Sequence, residues 1–389
     1  MKYFSRNAIL EAQKLDDYFA KHKKPVGPLH GLPVSLKDQF HVKGVETSMG
    51  YVGWTGTFEG KKGETVNNIM GTTENPKNRL LGPGGTSGGE GALIGLRGSP
   101  VGFGTDVGGS IRILAAFNGL YGIRPSASRM PYEGMANSLA GQITISSVVR
   151  PIATTARPLK LCVKIPWRDE KEQMVLDTIK FNGGEQLAFG VFKCDRGVAP
   201  QPPVARAIDI VVNTVKRLGH KTIESKAWSF DGGKDVHEAL ALSGEPMIPQ
   251  IQGHYSVLKP QMTGFDIAAV NVEKREYQKE YMEYWNSTAV VRKNGSGLDS
   301  GAAILPVTTV DKNIDLFDHG YTPLNAEDEK VWKCYDPEIY GGAHVSVQIV
   351  GRRFQEEKVI AITGMLGKRW ESRLDISGRI RGFRGMVGV

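Results

Sequence analysis

The chain has 389 residues, 40% hydrophobic and 23% charged, the balance of an ordinary globular protein able to bury one large core or two smaller ones. Its 49 basic and 41 acidic residues leave a net charge of +8, but Lys368, Arg369, Arg373, Arg379, Arg381 and Arg384 crowd the C-terminal end against only Glu371 and Asp375, so the rest is only mildly basic and no nucleic-acid partner is expected. Cys162, Cys194 and Cys334 lack CxxC or metal-ligand spacing, which argues against a disulfide framework or zinc site; no apolar run approaches the ~18 residues of a membrane span and no signal-peptide core opens the chain, so a soluble, cytoplasmic protein is expected.

In chain order, residues 5 to 22 place Ile9, Leu10, Leu15 and Phe19 at helical spacing before Lys21 to Lys24, predicting an amphipathic helix. A turn-rich stretch from Pro25 to Pro33 leads into Val34 to Lys37, an alternating run that predicts a strand with Lys37 at its end. Between Gly82 and Gly109 glycine is dense, yet Glu90 to Leu96 carries Ala92, Leu93 and Ile94, unlike a flexible linker. The expectation is a glycine loop, a short buried helix, a strand near Val101 to Phe103, and a second glycine loop carrying Ser110. Pro203 to Gly219 predicts a helix with proline at its start and glycine at its end, its apolar side running through Val204, Ile208, Val211, Val212, Val215 and Leu218. Residues 273 to 285, with Tyr277, Tyr281 and Trp285 on one side, predict another helix, and Ala343 to Val350 a strand.

Nucleophilic attack on an amide needs an activated hydroxyl, a base to take its proton, and donors for the oxyanion. In Gly104-Thr-Asp-Val-Gly-Gly-Ser110 the paired glycines let the backbone turn sharply and aim N–H groups at a point beside a serine hydroxyl. Gly84-Gly-Thr-Ser-Gly-Gly-Glu90 presents two hydroxyls between glycine pairs, where a strained or cis peptide is sterically easiest to hold. Neither loop continues into Gly-Lys-Ser/Thr, nor does either carry GxGxxG with its distal acid, which argues against phosphate binding. His30, His220, His237 and His344 follow no ligand spacing, so no metal site is expected.

These two blocks, together with Gly-Leu-Pro-Val-Ser-Leu-Lys37-Asp, resemble in order and content the three catalytic segments of the amidase-signature family. Gly122-Ile-Arg-Pro-Ser126, Tyr335-Asp-Pro-Glu338 and Ser346 to Arg353 resemble later segments, particularly of fungal acetamidase-like members, so the likeness runs from about residue 5 to 362. It implies an α/β fold with a mixed central sheet covered by helices on both faces, in a single domain over residues 1–362, followed by a basic tail over 363–389. It also implies an amidase acting on a small carboxamide through an acyl-enzyme, without cofactor or metal. Carried over by motif, Ser110 is the nucleophile, Lys37 the base, and Thr86 stands where the family has a cis serine that relays the proton. The backbone amides of Val107, Gly108, Gly109 and Ser110 form the oxyanion hole, Ser87 matches the neighbouring serine, and Asp106 and Arg112 brace the loop. A homodimer is the assembly we keep open.

Threonine at 86 retains the hydroxyl but adds a methyl group, predicting impairment rather than abolition. For Lys37 to act as a base, burial must lower its pKa from ~10.4 towards neutrality. The family's pattern is abbreviated near residues 61–64, 157–164 and 306–312, and Leu114 and His344 stand where proline is usual. Removing core segments exposes sheet edges. A catalytically silent relative that binds a ligand or partner is therefore the alternative.

Overall fold

The structure, a computed structural model, describes residues 5–42, 47–48, 66–67, 71–136, 146–164, 186–191, 193, 198–224, 272 and 301–371. In chain order its elements are α1 (Ser5–His22), β1 (Val34–Leu36), β2 (Val66–Asn67), β3 (Gly71–Thr72), α2 (Gly88–Gly95), β4 (Val101–Asp106), α3 (Ser110–Phe117), β5 (Tyr121–Arg124), β6 (Val148–Ala153), α4 (Ala156–Lys164) and β7 (Ala188–Val191). There follow α5 (Pro202–Arg217), β8 (Lys221–Glu224), β9 (Ala302–Thr309), α6 (Ala326–Lys333), α7 (Pro337–Tyr340), β10 (His344–Val350) and α8 (Glu356–Glu371).

Six strands form a mixed sheet in the order β1-β4-β6-β5-β9-β10. β1 runs parallel to β4, with Ser35 beside Gly102, and every later neighbour pair is antiparallel. β2 with β3 and β7 with β8 make separate two-stranded pairs. Because side chains alternate along a strand, the sheet sorts them into two layers. Phe103, Val149, Ala153, Ile123 and Leu305 enter the larger core with Leu159 of α4, Val211 and Val215 of α5, and Val359, Ile360 and Leu366 of α8. Ile152 and Ile304 point the other way and meet Ile94 of α2 and Ile111, Leu114 and Ala115 of α3. Helices thus cover both faces, and each fully buried isoleucine or leucine contributes roughly 1.5–3 kcal/mol.

The second layer is unusually close to the sheet, and glycines make it so. A Cβ at Gly102 would lie 2.6 Å from Glu90 Oε2, one at Gly104 2.8 Å from Ser87 Oγ, and one at Gly122 3.0 Å from both Ala115 Cβ and Ile111 Cγ2. Gly102 and Gly104, two residues apart on β4, leave a bare strip on the face that receives α2 and the hydroxyl loop before it.

The helices predicted over 5–22 and 203–219 and the strands over 34–37, 101–103 and 343–350 correspond to α1, α5, β1, β4 and β10 within a residue or two, although β4 runs on to Asp106. The short helix predicted over Glu90–Leu96 begins at Gly88, and only Gly88, Gly91 and Ile94 of it are buried. The helix predicted over 273–285 lies outside the described residues, as do positions 61–64 and most of the C-terminal tail. Residues 157–164 lie within α4, and β9 extends through 309. One boundary differs: residues 363–371, assigned above to the tail, continue α8, and Thr363 and Leu366 are buried. Gly367 lets α8 approach β5 closely there, since a Cβ on it would overlap the Tyr121 hydroxyl.

Candidate active site

Lys37 leaves the end of β1 with its amide still bonded to Phe103 O of β4 at 2.9 Å, which fixes its backbone on the sheet. The residue is 8% exposed, and its Nζ donates to Thr86 Oγ1 at 2.6 Å and Thr105 Oγ1 at 3.3 Å. Thr105 passes the network on, its hydroxyl donating to Gln39 Oε1 at 2.5 Å, while Gln39 Nε2 donates to Tyr132 Oη at 3.1 Å and to Ala136 O at 2.5 Å. The ammonium or amine of Lys37 therefore reaches two hydroxyls, of which that of Thr105 is itself held from behind by Gln39.

The hydroxyl loop turns at Gly84 and Gly85, whose φ values of 79° and 60° lie in the left-handed region. Gly85 rests directly on the start of α3, where an added Cβ would overlap the Ser110 carbonyl oxygen and come within 2.8 Å of its Cα. Asn118 Nδ2 donates to Pro83 O at 2.8 Å and Asn75 Nδ2 to Phe117 O at 2.8 Å, pinning the loop to the far end of α3. Ser87 follows as the residue capping α2, its buried hydroxyl 3.4 Å from Thr105 O. All peptide bonds described are trans, so the cis peptide that the resemblance implies at Thr86 is not found; two glycines make the turn without it. Gly85→Ala is expected to lower stability by about 2–3 kcal/mol, since both the sterics and the positive φ oppose it. Gly89→Ala, with open space around it inside α2, should be neutral or stabilising. Equal unfolding midpoints for the two variants would contradict the close approach.

Ser110 is the first residue of α3, preceded by Gly109 at φ 122°. At a helix start the first backbone N–H groups have no partner within the helix and carry the positive end of its dipole. The Ser110 hydroxyl is half-buried and makes no hydrogen bond among the described residues, so Lys37 and Thr86 are joined to each other while Ser110 is joined to their loop through its main chain. Of the four amides expected to face an oxyanion, Gly109 N–H donates to Asp106 Oδ1 at 2.6 Å and is turned into the protein. Val107, Gly108 and Ser110 remain around the mouth of the loop, with Gly108 exposed.

Asp106 explains the loop's rigidity. Its fully buried carboxylate accepts from Gly109 N–H, from Arg112 Nε at 3.0 Å and from Arg150, while Arg150 Nη2 also donates to Asp106 O at 2.8 Å. Burial disfavours its charge, but Arg150 and Arg112 more than offset that and hold its carboxyl well below the usual carboxylate range. Arg112 continues through Nη1 to Gln348 Oε1 of β10 at 3.0 Å. Glu90, in the first turn of α2, lies near Ser35 with its carboxyl over Gly102, and burial pushes that carboxyl up to about 7.

Sequence reasoning had passed over Gln39, Thr105, Glu90 and Arg150. Gln39 and Thr105 carried a weak signal, one alternating with Lys37 and the other inside the second glycine block. Arg150 carried none, because it meets Asp106 only through the pairing of β4 with β6. Among the described residues no three His, Cys, Asp or Glu side chains gather as a metal site, and no helix is long and apolar enough to cross a membrane.

A mixed sheet clothed on both faces, with a lysine, two hydroxyl loops and a serine at a helix start, defines a hydrolase-like α/β scaffold, and the chain belongs to the amidase family, whose sequence model (Amidase) matches residues 1–62 and 59–244. It is 38% identical over 452 residues to the acetamidase of Aspergillus oryzae, covering 94% of this chain and 82% of that protein. The acetamidase of Emericella nidulans is 38% identical over 453 residues with the same coverage, and amidase 1 of Gibberella moniliformis 32% identical over 441 residues, covering 91% and 82%. Among solved structures, a fatty acid amide hydrolase superposes with a TM-score of 0.82 at 26% identity, covering 94% of this chain and 78% of that one. The crystal structure of an amidase superposes at 0.65 and 19% identity, over 95% and 91%, which supports the fold alone.

Proposed function

We propose that the protein hydrolyses small linear carboxamides to a carboxylic acid and ammonia or an amine, the substrate class suggested by its acetamidase relatives. Ser110 Oγ gives its proton to the Thr86 hydroxyl, which passes one on to the unprotonated amine of Lys37, and the oxygen adds to the amide carbonyl carbon. The amides of Val107, Gly108 and Ser110 receive the oxyanion where the α3 dipole favours negative charge. Collapse of the adduct breaks the C–N bond, and the leaving nitrogen takes the proton back from Lys37 through Thr86. Water then adds to the acyl-enzyme by the same route, releasing the acid and restoring Ser110. The protein's own groups complete every proton transfer.

The observation that carries this reading is the 2.6 Å hydrogen bond between Lys37 Nζ and Thr86 Oγ1, formed by residues 49 positions apart and placed beside Ser110 by Gly85. Hydroxyl-linked lysines of this kind are a means of activating a weak serine nucleophile. A fluorophosphonate probe, followed by peptide mass mapping, should label Ser110, with short aliphatic amides turned over in parallel. An unlabelled Ser110 in folded protein that also turns over no amide would overturn the assignment. A ligand-dependent rise in melting temperature without turnover would identify a binding protein instead.

A further inference from the structure

Glu90 is a buried titratable group near Lys37 that the proposed reaction leaves without a task. It stands in the first turn of α2, and its Oε2 is buried without a hydrogen-bond partner among the described residues. The carboxyl is there because β4 has no side chain at Gly102: a Cβ on that residue would lie 2.6 Å from Glu90 Oε2 and 2.6 Å from Ser35 Oγ. Ser35 and Lys37 are two residues apart at the end of β1, and both reach the segment running from Thr86 into α2. Lys37 and Glu90 thus belong to one pocket between β1, β4 and α2.

We propose that Glu90 is a positioning residue whose charge acts through space on Lys37 and so sets the pH at which Lys37 becomes a base. The inference rests on the reading of Lys37 as the base.

α2 packs on β4, β6 and α3, and the charged residues those elements carry, Asp106, Arg150 and Arg112, are bound to one another at the end of β4. Among the described residues Lys37 is the charge that acts on Glu90. Burial pushes the Glu90 carboxyl up to about 7, while Ser35 and Lys37 pull it back towards its ionised form. An ionised Glu90 in turn favours the ammonium of Lys37, since an opposite charge nearby stabilises the charged form. Two groups coupled in this way titrate as a pair, in two steps that belong to neither alone.

Glu90→Gln keeps the shape of the protonated acid and removes its charge. The acid limb of the pH profile of kcat/KM on a short aliphatic amide should then move to lower pH by about one unit and steepen to a single titration. Ser35→Ala, which removes the hydroxyl dipole beside the ionised carboxyl, should shift it the same way by less and serves where Glu90→Gln does not fold. Lower activity with an unmoved acid limb, or a shift to higher pH, would overturn the proposal. A second readout is independent of turnover: with carbon-13 in the lysine ε position and the Lys37 resonance assigned by Lys37→Arg, Glu90→Gln should lower the pH midpoint of that resonance. If the midpoint moves but neither protein cleaves amides, the pairing stands and the hydrolase reading fails. If amides are cleaved and the midpoint stays, the pairing fails alone.

Discussion

Exchanging Lys37 for alanine is expected to lower kcat/KM on a short aliphatic amide by about 10³-fold, and exchanging it for arginine to lower it as much. General-base catalysis by a positioned side chain contributes about 10² to 10⁴ in rate. Arginine keeps a positive charge and donors for Thr86 and Thr105, but its pKa above ~12 prevents it from giving up a proton at working pH. The pair of substitutions therefore separates a base from a charge or a hydrogen-bond donor. Lys37 is 8% exposed, so the unfolding midpoints of both variants belong beside the rates. An arginine variant within tenfold of the parent would show that Lys37 acts as a fixed cation, and the proton relay through Thr86 would fall.

The second large effect is on stability. Asp106→Ala should destabilise the protein by about 3–5 kcal/mol, because it leaves Arg150, which is fully buried, without its carboxylate. The same change removes the acceptor of Gly109 N–H and of Arg112, loosening the loop that presents Ser110. Replacing Arg150 with methionine in the same chain should recover much of the loss, since it removes the stranded charge. Acid should reveal the pair as well. A carboxyl held below its ordinary value stabilises the fold fully above the unfolded pKa of about 4, and that contribution is lost as pH falls from there towards the depressed folded value. Between pH 4 and the acid end, Asp106→Ala should therefore lose less stability than the parent. A urea midpoint unchanged at neutral pH, or identical acid slopes, would show that the pair contributes little.

Both expectations depend on residues with very different visibility in the sequence. Lys37, the two glycine blocks and Ser110 could be picked out because turn chemistry is local: glycine pairs and a strand period of two before Lys37 are written in adjacent residues, whereas the helix that starts at Ser110 was not read there. The amphipathic period of α5, with prolines at its first turn and glycine beyond its end, is local in the same sense. The trans loop at Thr86, the capture of the Gly109 amide by Asp106 and the continuation of α8 through Leu366 could not be read in that way. Each depends on which partner the fold brings near, as where Gly367 lets α8 close on β5.

By itself the sequence determined the family's catalytic blocks, the order in which they occur, and the alternation that places Lys37 at the end of a strand. The tertiary structure decided what those groups can do. Lys37 meets Thr86 across 49 residues, and its pocket with Glu90 exists because Gly102 of β4 leaves room for a carboxyl beneath α2. A hydroxyl, an amine and a carboxyl change one another's proton affinity only at short range, and the approach of residues distant in the chain is set by the packing of the sheet and its helices.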